Sequence, residues 1–340
     1  MNGISVVIPV KGRVPQTRAL LESLRVAAGR SPVPSEVLVV DDSVPAEASL
    51  HQENCRFHDA RYVPGPRHVG AKRNLGVELA KYDHILFTDS DCRVAPDLLE
   101  RYAAAMPSLP DDVAAITGPT MVEEGDTAVF RIMKRSTLLN TDHERPLVHS
   151  RLSWAATSNV IIRKSAFQQV GGFPSDSLTV VCGEDIDLGI RLTEAGYAII
   201  CDAGAIVTHD SGSTDSLRTV CARLFMYGQS EQWLCVMHPG RRRLVLNAAT
   251  LVAAVGLLSL PAARRSRGRS LLAAPVVAGA VLASRAWRRR GGDRTPRAAL
   301  DSVACAFVDS LFDVGAFTAA FQLRRPELLF MGFTPTEDVK

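Results

Sequence analysis

The sequence predicts an α/β fold with a mostly parallel sheet and flanking helices, followed by an arginine-rich helical region. Over the first 210 residues, short apolar runs rich in β-branched residues alternate with segments of helical periodicity. After residue 238 the composition changes to long apolar segments flanked by arginines. With 340 residues, of which 46% are hydrophobic, the chain can bury one large core or two smaller ones. We therefore expect a first domain at residues 1–238 and a helical region at 239–340.

Four apolar runs have the length and composition of strands that are buried on both faces. They are residues 4–10, 36–42, 60–65 and 84–89. Between them, residues 15–29 and 70–82 carry apolar side chains at helical spacing, although Gly76 weakens the second helix. Strands that alternate with helices form parallel sheets, and ligands bind at the carboxyl ends of such strands. We therefore expect the functional site at that edge.

Two acidic pairs lie at such strand ends. Asp41 and Asp42 close the second strand, and Asp89 and Asp91 close the fourth. If the strand geometry persists, Asp89 and Asp91 project to the same side, because side chains alternate with a period of two. Two neighbouring carboxylates repel unless a cation or a proton lies between them, and oxygen ligands suit magnesium or manganese. Taken alone, however, Asp-Ser-Asp is more often a turn, since both residue types favour turns.

Six motifs follow one another along residues 4–235. They are "SVVIPVKGR", "VLVVDDS", "AKRNLGVELAKYDHILFTDSD", "SNVIIRKSAFQQVGGF", "GEDIDLGIRLTEAGY" and "VTHDSGS". In this order the chain resembles the family 2 glycosyltransferases of the GT-A fold. The resemblance implies a Rossmann-like GT-A domain and an enzyme that moves one sugar from a nucleotide-diphosphate sugar to an acceptor hydroxyl, with inversion at the anomeric carbon.

The resemblance places the donor site in the first half of the chain. The nucleotide-sugar-binding residues that it implies are Pro9, Asp41, Asp42, Arg73 and Asp89. A carboxylate can accept a hydrogen bond from an N–H group of uracil or guanine, and we expect a UDP-, GDP- or dTDP-linked donor. Lys72 is the alternative to Arg73, and a solvated basic helix face would also explain both residues.

A divalent metal, Mn2+ or Mg2+, is implied by the same resemblance. Its expected ligands are Asp89, Asp91 and His209, and it would bridge the two donor phosphates and stabilise the charge of the leaving group. A lone histidine after a strand is more often a surface or capping residue. A nitrogen ligand beside carboxylates favours manganese.

Glu184 and Asp185 open an amphipathic helix. Acids in a first helical turn favour the helix dipole, and Asp187 can pair with Arg191 four residues later, so a purely structural role explains this motif as well. The resemblance implies instead that one acid deprotonates the acceptor hydroxyl. We expect Asp185 in this catalytic role, with Glu184 as the second choice.

On the acceptor side, the resemblance implies Trp154 and Asn159. A tryptophan can stack on a sugar ring but more often packs in a core. The segment "QSEQW" at residues 229–233 is similar to the QxxRW motif of polymer-making members, but Gln232 stands at the arginine position. We therefore expect transfer of a single sugar.

The region after residue 238 is strongly basic. Residues 241–300 contain thirteen arginines and one acid, a net charge of +12, which leaves −9 for the rest of a chain whose total is +3. Residues 244–263 carry no charge and are long enough to span a bilayer, whereas 270–284 is shorter and contains Pro275. We expect a membrane-associated hairpin at 244–284. Arginines on every side oppose the positive-inside rule for two spans, so a re-entrant hairpin and an unsettled number of spans both stay open.

A further apolar segment, residues 299–321, has the pattern of an amphipathic helix. Asp301, Asp309 and Asp313 fall within about 120° of arc on a helix whose other positions are mainly apolar. Such a helix can lie on a membrane or pack against the hairpin. For the whole region, a buried helical domain is the alternative.

These features also predict partners and location. Apolar runs between the arginines favour an anionic membrane surface, and we expect no nucleic-acid partner. The N-terminal apolar run is short and lacks a preceding basic region, unlike a signal peptide, and the seven scattered cysteines are expected to be reduced thiols. We therefore expect the protein at the cytoplasmic face of the cell membrane, with a membrane lipid or glycolipid acceptor that belongs to a cell-envelope glycan precursor.

Two other functions compete with a glycosyltransferase. A sugar nucleotidyltransferase shares a similar sheet but has a glycine-rich basic loop after its first strand, where "VIPVKGRVPQTR" has one glycine. A catalytically inactive membrane scaffold of the same fold is the second alternative. It predicts that Asp91→Asn and Asp185→Asn have no effect in a cellular assay.

Overall fold

The structure is a computed structural model that describes residues 3–123, 125, 127–139, 143–175, 182–210, 216–292 and 294–335. Residues 211–213 of the motif "VTHDSGS" lie outside this description. The described residues form two compact units, the first within 1–123, 142–213 and 335–340, and the second within 124–141 and 214–334. The second unit therefore begins earlier than the sequence predicts, and it includes a short segment between two strands of the first.

The first unit is built on two sheets. Its strands in chain order are β1 Ile4–Val10, β2 Ser35–Asp41, β3 Arg61–Pro64, β4 His84–Phe87, β5 Cys92–Val94, β6 Val113–Thr117, β7 Thr120–Val122, β8 Arg151–Leu152, β9 Val160–Arg163, β10 Ala198–Cys201 and β11 Val207–His209. Among the described residues, eight form one sheet in the order β3-β2-β1-β4-β9-β6-β10-β8, and three form a smaller sheet in the order β5-β11-β7. Neighbours among β3, β2, β1 and β4 are parallel, and β9 runs antiparallel to β4 and β6. The mostly parallel sheet is as predicted.

Helices cover both faces of the large sheet. The α-helices of the described residues, in both units together, are α1 Val14–Ala28, α2 Pro45–Phe57, α3 Val69–Leu79, α4 Leu98–Ala105, α5 Ala128–Arg135, α6 Lys164–Gln169, α7 Glu184–Glu194, α8 Leu217–Met237, α9 Ala248–Ala263, α10 Ala273–Arg290 and α11 Pro296–Gln322. One core joins β1 to apolar residues of α1 and α4, and a second joins it to those of α3, α6 and α7. All seven side chains of β1 are buried, as expected for a strand between two helical layers.

The fourth predicted strand ends earlier than its sequence suggests. β4 stops at Phe87, and the backbone N–H of Cys92 donates to the carbonyl of Asp89 at 3.0 Å. The Asp-Ser-Asp segment is therefore a turn between β4 and β5. Asp89 and Asp91 therefore do not project to one side by strand alternation as expected, because alternation requires extended backbone.

Gly76, which weakens the helix prediction, is required by packing. A Cβ atom on Gly76 would lie 2.3 Å from Cγ1 of Val7 in β1. Glycine therefore lets α3 approach the sheet closely, and the two basic residues that precede it in α3 are brought to the sheet edge.

The second unit is helical, and its centre is the α8–α11 pair. A Cβ on Gly228 of α8 would lie 1.9 Å from the carbonyl oxygen of Phe312, and one on Gly315 of α11 would lie 2.0 Å from that of Phe225. Each helix thus presents a glycine to the backbone of the other, and close packing follows. This contact explains why the second unit includes α8, which the sequence assigns to the first domain.

The predicted hairpin is present, but its helices differ from expectation. The Ser270 hydroxyl donates to the carbonyl of Ser259 at 3.0 Å, joining the start of the second arm to α9. α9 has 16 residues, fewer than the uncharged run at 244–263, because Arg242–Leu244 forms a strand, β12, that pairs with Met331–Phe333, β13.

Two helical segments of the described chain are long and apolar enough to cross a membrane by length and composition. They are Arg269–Arg290, with 22 residues, and Pro296–Gln322, with 27. Residues 244–263 are long enough to span by sequence, but the helix within them, Ala248–Ala263, has 16 residues and is shorter than these two. Half of the apolar window of Pro296–Gln322 is buried within the protein.

The three aspartates of α11 form ion pairs inside the second unit. Asp309, which is 1% exposed, accepts from the Ser136 hydroxyl at 2.7 Å and contacts Arg289. Asp313 contacts Arg285, and Asp301 lies 3.2 Å from Nε of Arg131. This helix therefore turns its acidic face to other helices.

Candidate active site

The carboxyl end of β2 carries two predicted nucleotide-binding acids, and the neighbouring β1 carries Pro9. Asp41 is 3% exposed and accepts from the Tyr62 hydroxyl at 3.0 Å and the Ser43 backbone N–H at 2.9 Å. Pro9 is buried in β1 beside Val40. The carboxylate of Asp41 is thus held by neighbouring donors at the sheet edge where a ligand is expected.

Asp42 forms a pair with a buried lysine. Lys72 Nζ contacts Oδ1 of Asp42 and donates to the carbonyl oxygen of Val10 at 2.6 Å. Burial lowers the pKa of Lys72, while the charge and hydrogen bond of Asp42 oppose that shift. Lys72 is therefore held by Asp42 and the end of β1, and its place as the alternative to Arg73 stays a prediction.

Arg73 connects the turn after β4 to the start of α7. Its guanidinium is 3% exposed; Nη2 donates to Oδ1 of Asp89 at 3.0 Å and Nη1 to Oε1 of Glu184 at 2.7 Å. Burial alone would lower the pKa of Arg73, but the charges of Asp89 and Glu184 outweigh it and raise the pKa. The cation is therefore fixed between two carboxylates that are 95 positions apart in sequence.

Glu184 and Asp185 have different environments although they are adjacent. Glu184 is buried, one oxygen is bound by Arg73, and Oε2 has no hydrogen-bond partner in the described structure. Asp185 is half-buried and accepts from the backbone N–H of Ile186 at 2.9 Å. Burial and then the charge of Glu184 raise the pKa of Asp185 to about 7, against the opposing charge of Arg73. The predicted pair of Asp187 with Arg191 is present at 2.6 Å.

Asp91 and His209 meet at the small sheet. β11 runs antiparallel to β5 with His209 opposite Cys92, which places the imidazole beside Asp91. Nε2 of His209 lies 3.3 Å from Oδ2 of Asp91, a carboxylate that is 2% exposed. Arg13 contacts the same Oδ2 through Nη1. One buried carboxylate thus faces both an imidazole and a guanidinium.

These residues fit a divalent metal in part. An oxygen donor from Asp91 and a nitrogen donor from His209 point at one place, and the guanidinium of Arg13 shows that this place accepts a cation. No group of three or more such ligands occurs among the described residues, since Asp89 is bound by Arg73. A metal here would have two protein ligands and need oxygens from a bound diphosphate.

The two predicted acceptor-side residues have internal roles. Asn159 is 1% exposed; its amide donates to the carbonyls of Pro119 and Ala205, and its Oδ1 accepts from the Tyr102 hydroxyl at 2.7 Å. These bonds use the amide within the protein, so the structure gives no support to an acceptor contact for Asn159.

Trp154 is also buried, with 6% of its surface exposed. The Arg145 guanidinium lies 5.1 Å from the ring centroid, and Gly189 of α7 is glycine because a Cβ there would lie 2.4 Å from Trp154 Cα. The tryptophan packs beneath α7 and offers no open ring face to a sugar. Its place on the acceptor side stays a prediction. Asp185 itself lines a cavity together with Thr157 and Val160.

Sequence reasoning missed Arg13. Its signal is its position in "PVKGR", immediately after β1, together with an excess of acids among the residues predicted to converge there. The contact joins residues 78 positions apart, so no local pattern reveals it.

A family model for glycosyl transferase family group 2 matches residues 84–289. The match covers more than half of the chain. The protein belongs to this family. For this glycosyl transferase family group 2 member, the matched region contains both acids of the turn after β4, the acidic start of α7 and His209, while Arg73 and the acids after β2 precede it.

Several curated proteins are similar to this family member. A pre-mycofactocin glycosyltransferase of Mycobacterium tuberculosis is 31% identical over 258 residues, which cover 74% of this chain and 51% of the relative. An N-acetylglucosaminyl-diphospho-decaprenol L-rhamnosyltransferase of the same species is 30% identical over 191 residues, covering 55% and 56%. The O-antigen biosynthesis protein RfbC of Myxococcus xanthus is 26% identical over 229 residues, covering 62% and 17%. The chain spans about half the length of the first two relatives, and less of the third.

The fold has a solved counterpart. A mannosyltransferase from Pyrobaculum calidifontis, solved in complex with GDP-mannose and Mn2+, superposes with a TM-score of 0.55 at 16% identity and covers 95% of this chain and 88% of its own. The GT-A fold predicted from the sequence motifs is thereby confirmed, as a mostly parallel sheet with flanking helices followed by C-terminal helices.

Proposed function

We propose that this chain is a metal-dependent, inverting glycosyltransferase that moves one sugar from a nucleotide-diphosphate sugar to an acceptor hydroxyl. The observation that carries the proposal is the bridge made by Arg73, which holds the Asp89 turn next to Glu184 and Asp185. The bridge brings a donor-binding turn and a candidate base to the same sheet edge, which is the arrangement that a transfer between two bound substrates requires.

Asp185 is the proposed general base. Of the two adjacent acids, Glu184 is bound by Arg73, whereas Asp185 lines the cavity and has a pKa of about 7. A base of this pKa takes a proton efficiently near neutral pH. The acceptor hydroxyl gives its proton to Asp185 as its oxygen attacks the anomeric carbon, and the bond to the diphosphate breaks on the opposite face, so the configuration inverts.

We expect the donor diphosphate to bind beside Asp91 and His209, with a metal between them. A divalent metal held by these two side chains would neutralise the charge that develops on the leaving nucleoside diphosphate. We expect Asp41, at the carboxyl end of β2, to accept from the nucleotide base, and Arg73 keeps Asp89 in position. The solved neighbour contains GDP-mannose and Mn2+, which supports a nucleotide sugar and a metal of this kind.

A thermal-shift screen tests this proposal. UDP-, GDP- and dTDP-sugars are added with and without Mn2+, and we expect one donor to stabilise the protein only when the metal is present, by about 2.7 kcal/mol at a hundredfold excess over Kd. Asp91→Asn should abolish the shift. Asp97→Asn is the control, because Asp97 is a solvent-accessible acid of the same segment. If no donor shifts the wild-type protein with any metal, the proposal fails.

The proposal extends to the second unit, which we place on the cytoplasmic face of the membrane. Large apolar side chains are exposed along α9 and α10, among them Leu258 at 79%, Val276 at 67% and Trp287 at 76%. The arginine-rich segment 264–269 lies between these two helices. Apolar surface beside arginines suits an anionic lipid surface.

Flotation with liposomes tests the membrane surface. Trp287→Glu should reduce binding to vesicles that contain phosphatidylglycerol, and Phe57→Glu should not, although Phe57 is 75% exposed in the first unit. Equal loss by both variants would contradict the assignment.

A lipid acceptor follows from this location. One relative has a decaprenol-linked sugar diphosphate in its name, which supports a membrane glycolipid of the cell envelope as the acceptor. The test is transfer of radiolabelled sugar from the donor into a membrane lipid extract. Label that enters a soluble acceptor and never the lipid extract would refute the lipid acceptor while leaving glycosyl transfer intact.

A further inference from the structure

Two arginines face the acids of the site, and they differ in how firmly they are held. Arg73 has a side chain that is 4% exposed and is bonded on both sides to carboxylates. Arg13 has a side chain that is 39% exposed and reaches one oxygen of Asp91. Arg73 is therefore a fixed part of the site, whereas the guanidinium of Arg13 can leave without exposing a buried cation.

The backbone around Arg13 is shaped to direct this side chain. Arg13 has φ of 57° and ψ of 39°, a left-handed conformation that costs a non-glycine residue about 1–2 kcal/mol. The preceding Gly12 also has positive φ, its N–H donates to the Ser43 hydroxyl at 2.7 Å, and its carbonyl lies 3.0 Å from Nε2 of His51. A strained turn that neighbouring elements hold in place, with a partly exposed charged tip, indicates a function for the tip.

We infer that Arg13 is a displaceable counter-cation of the donor site, which neutralises Asp91 when the site is empty and transfers to the donor diphosphate when the metal arrives. This inference rests on the proposed function. Asp91 is 2% exposed, and a buried carboxylate needs a compensating positive charge in the absence of metal. Arg13 supplies that charge at Oδ2, which is also the oxygen beside His209.

A divalent metal held by Asp91 and His209 would lie close to the guanidinium of Arg13, and repulsion between the two cations would weaken the contact of Arg13 with Oδ2 of Asp91. The released guanidinium would stay at the start of α1, where a helix N-terminus already favours anions, and could pair with a diphosphate bound beside Asp91. Competition with Arg13 therefore weakens binding of the metal alone. When a diphosphate is also present, the released Arg13 pairs with it and strengthens binding of the metal and diphosphate together.

Equilibrium binding of Mn2+ tests the inference without requiring catalysis. Free Mn2+ is measured by its electron paramagnetic resonance signal for the wild-type protein and for Arg13→Gln, first alone and then with UDP, GDP or dTDP. We expect Arg13→Gln to bind Mn2+ alone about tenfold more tightly, and to bind the nucleoside diphosphate with Mn2+ about tenfold more weakly. Arg18→Gln is the matched control, because it removes an exposed arginine of the same helix.

A second variant covers the case in which Arg13→Gln folds poorly. Arg13→Gly suits the left-handed backbone and should show the same two changes. If neither variant binds Mn2+ alone more tightly than the wild-type protein, the inference on Arg13 is overturned, and metal-dependent nucleotide binding by the wild-type protein would still support the proposed function. If Mn2+ alone binds more tightly to both variants and the wild-type protein binds no diphosphate, the pairing of Arg13 with Asp91 is supported, whereas the transfer of Arg13 to a diphosphate and the proposed function both fail.

Discussion

Replacing Asp185 by asparagine should stabilise the folded protein at alkaline pH while removing its proposed activity. Burial and the charge of Glu184 raise the pKa of Asp185 from 3.8 to about 7, so the folded state binds this proton more tightly than the unfolded state does. Ionised Asp185 therefore lowers the free energy of unfolding. This loss grows as the pH rises from about 4 to about 7 and is complete above about pH 7. An asparagine keeps the hydrogen bond from Ile186 and carries no charge.

The size of the stability gain in Asp185→Asn follows from the pKa shift of Asp185. About three pKa units correspond to about 4 kcal/mol, and partial solvent access to the half-buried carboxylate reduces this to about 1–3 kcal/mol. Urea unfolding of Asp185→Asn and the wild-type protein at pH 8 and pH 4 measures this difference in the free energy of unfolding. We expect the variant to be more stable than the wild-type protein at pH 8 and equally stable at pH 4. Transfer activity should fall by about 10²–10⁴-fold.

Asp187→Asn is the matched control for this experiment. It changes the same residue type in the same helix, but Asp187 is 2% exposed and paired with Arg191, so its loss should lower the free energy of unfolding by about 1–3 kcal/mol at pH 8. If Asp185→Asn is no more stable than the wild-type protein at pH 8, or if its gain is the same at pH 4, Asp185 does not carry the raised pKa and its role as the base loses its basis.

Three further substitutions test the packing and charge arguments. Arg73→Met should cost about 3–5 kcal/mol in urea unfolding, because it leaves two carboxylates without their common cation, and the acid limb of the pH–rate profile should move to higher pH. Gly76→Ala should cost about 1–3 kcal/mol by the same measurement, since the new methyl group overlaps Val7; a neutral result would contradict the close approach. Arg289→Met should cost about 3 kcal/mol because Asp309 is left buried and uncompensated, and unchanged unfolding would refute the ion pair.

The sequence predicts the sheet and its acidic edge because both depend on local patterns. A strand buried on two faces needs a continuous apolar run, and the four predicted strands of the first half occur within two residues of their expected ends. The acids at strand ends follow from the same runs. The contacts between these acids and their arginines do not follow from local patterns. Arg73 binds Glu184 across 111 positions and Arg13 binds Asp91 across 78, and such pairs depend on the completed sheet.

Asn159 and Trp154 show why a motif alone does not separate a binding residue from a structural one. Both lie in a segment that the resemblance places near the acceptor, and a polar or aromatic side chain in such a segment suggests a ligand contact. In the structure the amide of Asn159 joins the carbonyls of Pro119 and Ala205 to Tyr102. A residue that holds three separate segments together is as constrained as a binding residue, and sequence alone does not separate the two cases.

The basic region gives the clearest physical reason for a difference between sequence and structure. Residues 241–300 carry an excess of twelve positive charges, and the sequence alone does not show which of these arginines are paired with acids. Arg285 and Arg289 pair with Asp313 and Asp309, acids that lie outside this window and one helix further along the chain. Since the paired arginines are neutralised inside the unit, the positive charge available to an anionic surface is concentrated elsewhere, as in the turn at 264–269. The proposed membrane association therefore favours a hairpin that lies along the bilayer surface, because its helices expose leucine and valine while the arginines of the turn at 264–269 and of the end of α10 need not cross the hydrocarbon.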